Sequence, residues 1–129
     1  MNGIFGIGTD MVNISRIKIL INKNKKFIKR IFSVKEINYC ESRSNKFASY
    51  SKRFAAKEAF AKALGTGISN GVSFKEILIN NDKYGAPFIE LKGKTKTIVQ
   101  KLIKKKNKIH LSLSDEKKYA LAMVVISSK

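Results

Sequence analysis

Residues 52–64 read KRFAAKEAFAKAL and run directly into Gly65. Alanine and straight-chain residues dominate this stretch, and glycine is the usual residue just beyond a helix end. We therefore predict a helix that stops at Gly65, with Ser49 or Ser51 as its N-cap. A set of apolar residues at helical spacing is expected to face the core: Ala56, Ala59, Phe60 and Ala63.

Shorter elements are predicted on both sides of this helix. The patterns indicate a strand over 3–10, two short helices between 15 and 32, a helix from 33 toward 42, an exposed connection over 42–51, a hairpin of 72–80 and 86–91, a basic helix over 95–106, and strands over 109–115 and 119–126. Ser33 and Glu36 have the spacing of a capping box. The glycines of GIFGIG at 3–8 are expected to let another backbone approach closely. These elements predict an α+β fold, with antiparallel strands packed against helices in a single domain over 1–129.

The composition excludes several classes of protein. A chain of 129 residues with 43% hydrophobic residues suits one modest core. Cys40 is the only cysteine and His110 the only histidine, which argues against a disulfide framework and a structural zinc site. We see no export signal and no apolar run of membrane-spanning length, so we expect a cytoplasmic protein with no membrane association.

The net charge of +18 predicts attraction to anionic partners. It does not choose between nucleic acid, a phosphorylated ligand and an acidic protein. Lysine accounts for 23 of the 27 cations, and much of this excess is compatible with solvated surfaces. A small basic nucleic-acid-binding protein is the alternative function, although no helix-turn-helix, zinc-finger or RNP pattern is present.

Three polar residues are candidates for chemistry. Glu58 and Lys62 lie four residues apart and so share one face of the predicted helix, but this spacing is also common in ordinary surface pairs. Asp10 follows the first strand, where a turn or cap role is equally usual. Two carboxylates brought together by the fold would suit Mg²⁺, which takes the rest of its shell from water and substrate phosphates.

Five segments together resemble a known family. They are GIGTDMVNISRI near the start, FSVKE at 32–36, RFAAKEAFAKALGTG at 53–67, YGAPFIEL at 84–91, and HLSLSDEKKYALAMVVI at 110–126. In this order they resemble the small bacterial holo-[acyl-carrier-protein] synthases of the 4'-phosphopantetheinyl transferase superfamily. The resemblance covers nearly the whole chain.

The resemblance implies an enzyme that moves the 4'-phosphopantetheine arm of coenzyme A to a serine of an acidic apo acyl carrier protein, in support of fatty acid biosynthesis. It implies a homotrimer with coenzyme A at the subunit interfaces, and no nucleic-acid partner.

The resemblance also assigns roles to individual residues. Asp10 and Glu58 fall on the family's Mg²⁺ ligands, and Lys62 on the lysine that contacts the coenzyme A phosphates. Four further residues lie in segments that line the nucleotide: Arg53, Gly65, Thr66 and Pro87. Arg16 falls on the arginine that binds the carrier protein, and Lys23, Lys26 and Arg30 continue its basic surface.

The sequence departs from the family pattern at one position. Asp115 stands where many members carry a histidine, so the role of that histidine is altered or supplied elsewhere. The general base also stays open at this point, since Glu58 and a metal-bound water are both candidates.

Overall fold

The computed structural model describes residues 3–128, in which one strand and four helices are followed by two strands, a fifth helix and two final strands. The strands are β1 (Gly3–Asn13), β2 (Ile77–Asn81), β3 (Pro87–Leu91), β4 (Asn107–Asp115) and β5 (Tyr119–Ser128). The helices are α1 (Ile14–Lys23), α2 (Lys25–Ile31), α3 (Val34–Glu41), α4 (Lys46–Leu64) and α5 (Gly93–Leu102), and a 3₁₀ turn over Phe74–Glu76 leads into β2. The predicted α+β class is confirmed.

The strands form two antiparallel sheets. One has the order β1–β5–β4 and the other pairs β2 with β3. In β5 alternate residues are buried beneath α4, namely Ala120, Ala122, Val124 and Ile126. The apolar residues of α4 that were predicted to face the core do so, since Ala56, Ala59, Phe60 and Ala63 are all buried. The main core therefore lies between α4 and the three-stranded sheet.

Two glycines of β1 allow α4 to lie directly on that strand. A Cβ atom at Gly6 would overlap the carbonyl oxygen of Ala63, and one at Gly8 would overlap that of Ala59. No side chain fits between the two backbones at these positions. The predicted close approach is confirmed, and it brings the next inward-facing residue of β1, Asp10, beside α4.

The start of α4 differs from the prediction. Its N-cap is Asn45, whose side chain accepts a hydrogen bond from the Ala48 amide at 3.2 Å, so the proposed caps Ser49 and Ser51 are wrong. The expected connection over 42–51 is helical from residue 46. Burial explains the difference, because Tyr50 is fully buried in a second core cluster and tertiary packing overrides the weak helix preference of serine. At the other end, Gly65 has the predicted left-handed conformation, with a φ of 91°.

Three other boundaries shift. Strand β1 continues to Asn13, three residues beyond the prediction. The first part of the predicted strand over 72–80 is the 3₁₀ turn, and α5 ends at Leu102, before the three consecutive lysines at 104–106. A longer helix would place Lys104 and Lys105 three and four residues after Lys101 on one face, where like charges repel. The capping box is confirmed, with the Ser33 amide 2.9 Å from Oε1 of Glu36 and the Glu36 amide 3.2 Å from Oγ of Ser33.

Over residues 3–128, no helix combines the length and the apolar character needed to cross a membrane.

Candidate active site

The structure brings Asp10 next to the part of α4 that carries Glu58 and Lys62. Nζ of Lys62 donates to Oδ1 of Asp10 at 3.0 Å and to the carbonyl oxygen of Thr9 at 3.0 Å. The Lys62 side chain is half exposed, whereas that of Asp10 is 15% exposed. The carboxylate is thus fixed at the junction of β1 and α4, and the lysine reaches it from solvent.

Glu58 lies one helical turn before Lys62 and close to Asp10. Its pKa is raised, first because partial burial disfavours the carboxylate and second because the charge of Asp10 repels it, while Lys62 acts in the opposite direction. The three candidates from the sequence therefore form one cluster. Two neighbouring carboxylates are costly to keep ionised without a cation beside them.

The donors of this cluster fit a magnesium ion better than a zinc or calcium ion. Within residues 3–128 no group of three or more histidine, cysteine or acidic side chains is placed to hold a metal. A cation bound here would take two carboxylates, Asp10 and Glu58, and the rest of its shell from water or phosphate. This is the usual arrangement for Mg²⁺ in phosphoryl-transfer sites.

A second polar site lies on another side of α4, around Arg53. Arg53 is 3% exposed, its Nη2 donates to Oδ1 of Asn81 at 2.6 Å, and its guanidinium lies 4.0 Å from the centroid of the Tyr39 ring. Its Nε is buried and has no hydrogen-bond partner among the described protein atoms. Buried polar atoms rarely lack a hydrogen-bond partner, and this missing partner favours a ligand group beside Arg53.

A cavity of about 300 Å³ opens beside Arg53. Its lining comprises Tyr39, Lys52, Arg53, Asn81, Gly85, Pro87 and residues 111–113. Arg53 and Pro87, both expected to line a nucleotide, thus share one cavity of the size that holds a small ligand. Gly65 and Thr66 are not among its lining residues. They lie at the C-terminal end of α4, where Thr66 Oγ1 donates to the Gly67 carbonyl.

Two polar residues near the C-terminus are in ion-pair or hydrogen-bond contacts. Asp115, where the resemblance leads us to expect a histidine, pairs with Lys52 at 3.0 Å. Nε2 of His110 lies 3.1 Å from Oγ of Ser127 on the neighbouring strand. Lys52 is a cavity residue, so Asp115 contributes to this region through it.

The basic residues expected to bind a carrier protein lie on α1 and α2. Arg16, Lys23, Lys26 and Arg30 are all exposed. A larger cleft of about 540 Å³ adjoins the N-terminus of α1, with Lys18, Lys117 and Lys118 among its lining residues. Its size does not make it the reactive site, because none of the described residues that line it carries a carboxylate.

Sequence reasoning missed the polar contacts that depend on the folded chain. Tyr39 and Asn81 contact Arg53, yet the sequence around these two residues contains no motif that indicates the contacts. Lys57 is fully buried, and its Nζ lies 2.9 Å from Oε1 of Glu36. The capping box was the one sequence signal at Glu36, and it did not reveal this second partner.

Comparison with known proteins places the chain in a family. The sequence pattern of the 4'-phosphopantetheinyl transferase superfamily matches residues 6–124. The chain is 47% identical over 130 residues to the holo-[acyl-carrier-protein] synthase of Zymomonas mobilis, with 97% of each chain covered. It therefore belongs to the 4'-phosphopantetheinyl transferase superfamily.

Solved structures agree with this assignment. The chain is similar to the crystal structure of holo-[acyl-carrier-protein] synthase from Neisseria meningitidis, with a TM-score of 0.88, 38% identity, and coverage of 96% of this chain and 98% of the other. It is also similar to the holo-(acyl-carrier-protein) synthase from Bacillus anthracis in complex with CoA (3',5'-ADP), with a TM-score of 0.80, 35% identity and 98% coverage of both chains. All three of these similar proteins are named as holo-(acyl-carrier-protein) synthases.

Proposed function

We propose that the chain is a phosphopantetheinyl transferase that moves the 4'-phosphopantetheine group from coenzyme A to a serine of apo acyl carrier protein, in support of fatty acid biosynthesis. The observation that carries this proposal is the cluster of Asp10, Glu58 and Lys62 at the junction of β1 and α4. The names of the relatives indicate the reaction, and the charged groups of this cluster suit it.

The reaction is a substitution at phosphorus. The serine oxygen forms a bond to the β-phosphorus of coenzyme A, and the bond from that phosphorus to the bridging oxygen breaks. The serine proton passes to a base, and adenosine 3',5'-bisphosphate leaves. Such a transfer depends mainly on positioning and on stabilisation of charge.

We propose Mg²⁺ as the metal, held by Asp10 and Glu58. When bound, the ion would neutralise charge on the diphosphate. Lys62 reaches the same carboxylate from solvent, so its ammonium is available to the leaving phosphate. Glu58 is a candidate for the base, because its carboxylate belongs to the same cluster as Asp10 and Lys62.

The cavity beside Arg53 is the proposed site for the nucleotide part of coenzyme A. It offers the buried guanidinium of Arg53, the ammonium of Lys52 and the ring of Pro87. A guanidinium presents several donors to phosphate or base atoms, and Nε of Arg53 has a donor free of protein partners. Gly65 and Thr66 would then contact coenzyme A nearer the diphosphate, at the same end of α4 as Lys62.

The basic surface of α1 and α2 is the proposed docking site for the carrier protein. The segment 14–31 contains no acidic residue, and its cations include Arg16, Lys23, Lys26 and Arg30. Ile19 and Leu20 are exposed on the same helix as Arg16. A surface of this kind suits an acidic helix that also presents apolar side chains.

We propose that three copies of the chain assemble through the open face of the β1–β5–β4 sheet. That face exposes Ile7 and Met11 of β1, and Leu121 and Met123 of β5. The register pairs Met11 with Leu121, which makes the apolar surface continuous across the two strands. Light scattering tests the assembly, with Met123→Asp expected to yield smaller species and the exposed Val34→Asp as control. An active wild-type monomer would contradict it.

A single assay separates this function from nucleic-acid binding. Purified acidic carrier protein is incubated with the chain, coenzyme A and Mg²⁺, and its gel mobility is compared with that of a carrier whose acceptor serine is alanine. A mobility change confined to the carrier with the serine supports the transferase. Retention of DNA with no change in the carrier would favour the alternative.

A further inference from the structure

A buried ion pair connects α4 to two other elements of the fold. The Lys57 and Glu36 side chains are 0% exposed, and their charged atoms lie 2.9 Å apart. Nζ of Lys57 also donates to the carbonyl oxygens of Phe74 and Ile77, each at 2.8 Å. All three donors of the ammonium are thus used, which is uncommon for a side chain that normally prefers water.

The Glu36 carboxylate is equally well satisfied. Oε1 accepts from the Ser33 amide at 2.9 Å as well as from Lys57, and Oε2 accepts from the Ile79 amide at 3.1 Å. One carboxylate therefore joins the N-terminus of α3, the middle of α4 and strand β2.

The contacts set the register of α4 against β2. Lys57 bonds the Ile77 carbonyl, Glu36 bonds the Ile79 amide, and Arg53, one turn before Lys57, bonds Asn81 at 2.6 Å. The bonded residues of β2 are two apart, so successive contacts follow one side of the strand. Rotation or sliding of α4 would break the contacts of Lys57 and Arg53 together, and it would separate Lys57 from Glu36.

Lys57 immediately precedes Glu58 on the helix. Successive helical residues point about 100° apart, so the network holds α4 from one side while Glu58 and Lys62 face β1 on another. From these contacts we propose that Glu36 and Lys57 are positioning residues, which fix the segment of α4 carrying Glu58 relative to Asp10 and to the hairpin carrying Pro87. The proposal rests on the proposed function, since it assigns the pair a role in placing the divalent ion and coenzyme A.

The test measures binding of Mn²⁺ by electron paramagnetic resonance, with saturating coenzyme A and no carrier protein. Lys57→Met keeps the length of the side chain and removes the three donors. The double variant Glu36→Gln with Lys57→Met leaves no unpaired buried charge, so it retains a folded state even if the single variant does not. Both variants are expected to bind Mn²⁺ about 10- to 100-fold more weakly, the usual loss when a group supporting a metal ligand is removed.

Tyr50→Phe is the matched control. The Tyr50 hydroxyl also joins α4 to α3, through a hydrogen bond of 2.7 Å to Glu41, but it lies two turns from Lys57. This variant should lose stability without losing Mn²⁺ affinity. Wild-type affinity in the folded double variant, or an equal loss in Tyr50→Phe, would overturn the positioning role.

The same titration separates this role from the transfer reaction. Wild-type protein that binds Mn²⁺ and leaves the carrier unmodified, with weak binding in the two variants, would contradict the transferase and support the positioning role. Wild-type protein that modifies the carrier while both variants keep full Mn²⁺ affinity would support the transferase and contradict the positioning role.

Discussion

Nζ of Lys62 lies 3.0 Å from Oδ1 of Asp10, across the junction of α4 and β1. The carboxylate is mostly buried and the ammonium is largely exposed, so Lys62 can swing away from Asp10 without disturbing the core. A bound cation would replace the lysine at the carboxylate and leave its ammonium free for phosphate.

Removal of either proposed metal ligand should stop transfer. Asp10→Ala and Glu58→Ala are each expected to lower the rate at least about 100-fold at ordinary Mg²⁺, the range for loss of one group that stabilises transition-state charge. Steady-state transfer kinetics measure the loss, and circular dichroism checks the fold. Glu116→Ala, at an exposed carboxylate, is the control. Near wild-type rates in either variant would contradict the assignment of the metal site.

The ionised carboxylate of Glu58 should destabilise the folded protein at neutral pH when no metal is present. Its pKa is raised above the ordinary value of 4.5, so the folded state holds the proton more tightly than the unfolded state does. Stability then falls as pH rises from about 4.5 through the raised pKa. Glu58→Gln is expected to raise the free energy of unfolding at pH 7 by less than about 1 kcal/mol, since the group is only partly buried.

Urea unfolding in the presence of a chelator measures this gain at pH 7 and at pH 4. The gain should be much smaller at pH 4, where the wild-type carboxyl is mostly protonated in both states. A variant that is less stable than wild type at pH 7 would show that the environment of Glu58 favours its charge.

The contact between β1 and α4 should tolerate no side chain at Gly8. Gly8→Ala drives a methyl group into the Ala59 carbonyl, and overpacking of this kind costs typically about 1–3 kcal/mol. The shift also moves α4 away from Asp10, so the affinity for Mg²⁺ should fall as well. Gly3→Ala is the matched control, since a Cβ there meets no atom within 4 Å. Equal unfolding free energies for the two variants would contradict the close approach.

The carrier surface should depend on position more than on total charge. Arg16→Ala is expected to raise the KM for carrier protein markedly and to leave the KM for coenzyme A nearly unchanged, because a guanidinium can dock on a carboxylate in bidentate fashion. Neutralising Lys104, Lys105 and Lys106 together should only lower the salt sensitivity of association. Kinetics at two ionic strengths separate these effects. A triple-lysine variant more impaired than Arg16→Ala would place the carrier on another face.

Local patterns in the sequence predicted much of the fold. The glycines of β1, the core face of α4, its end at Gly65 and the capping box at Ser33 each follow from a few neighbouring residues. The start of α4 did not, because Tyr50 is helical through its burial against residues distant in sequence. Local preference and tertiary packing point in different directions there, and packing prevails.

The candidate site, like the fold, could be predicted only in part from local sequence. The spacing of Glu58 and Lys62 placed them on one face, but their approach to Asp10 depends on how β1 packs against α4 some 50 residues away. The setting of Arg53 depends on Asn81, 28 residues along the chain. Such contacts carry no local signal, so the sequence indicated candidates and the folded chain brought them together.

The mass of intact carrier protein tests the central claim most directly. Acidic apo carrier is incubated with the chain, coenzyme A and Mg²⁺, and parallel samples omit coenzyme A or contain a chelator in excess over the metal. We predict that the carrier gains the mass of one 4'-phosphopantetheine group, with one equivalent of adenosine 3',5'-bisphosphate released, in the complete sample alone. A carrier of unchanged mass in the complete sample, with the chain folded and a known transferase modifying the same carrier, would contradict the proposed function.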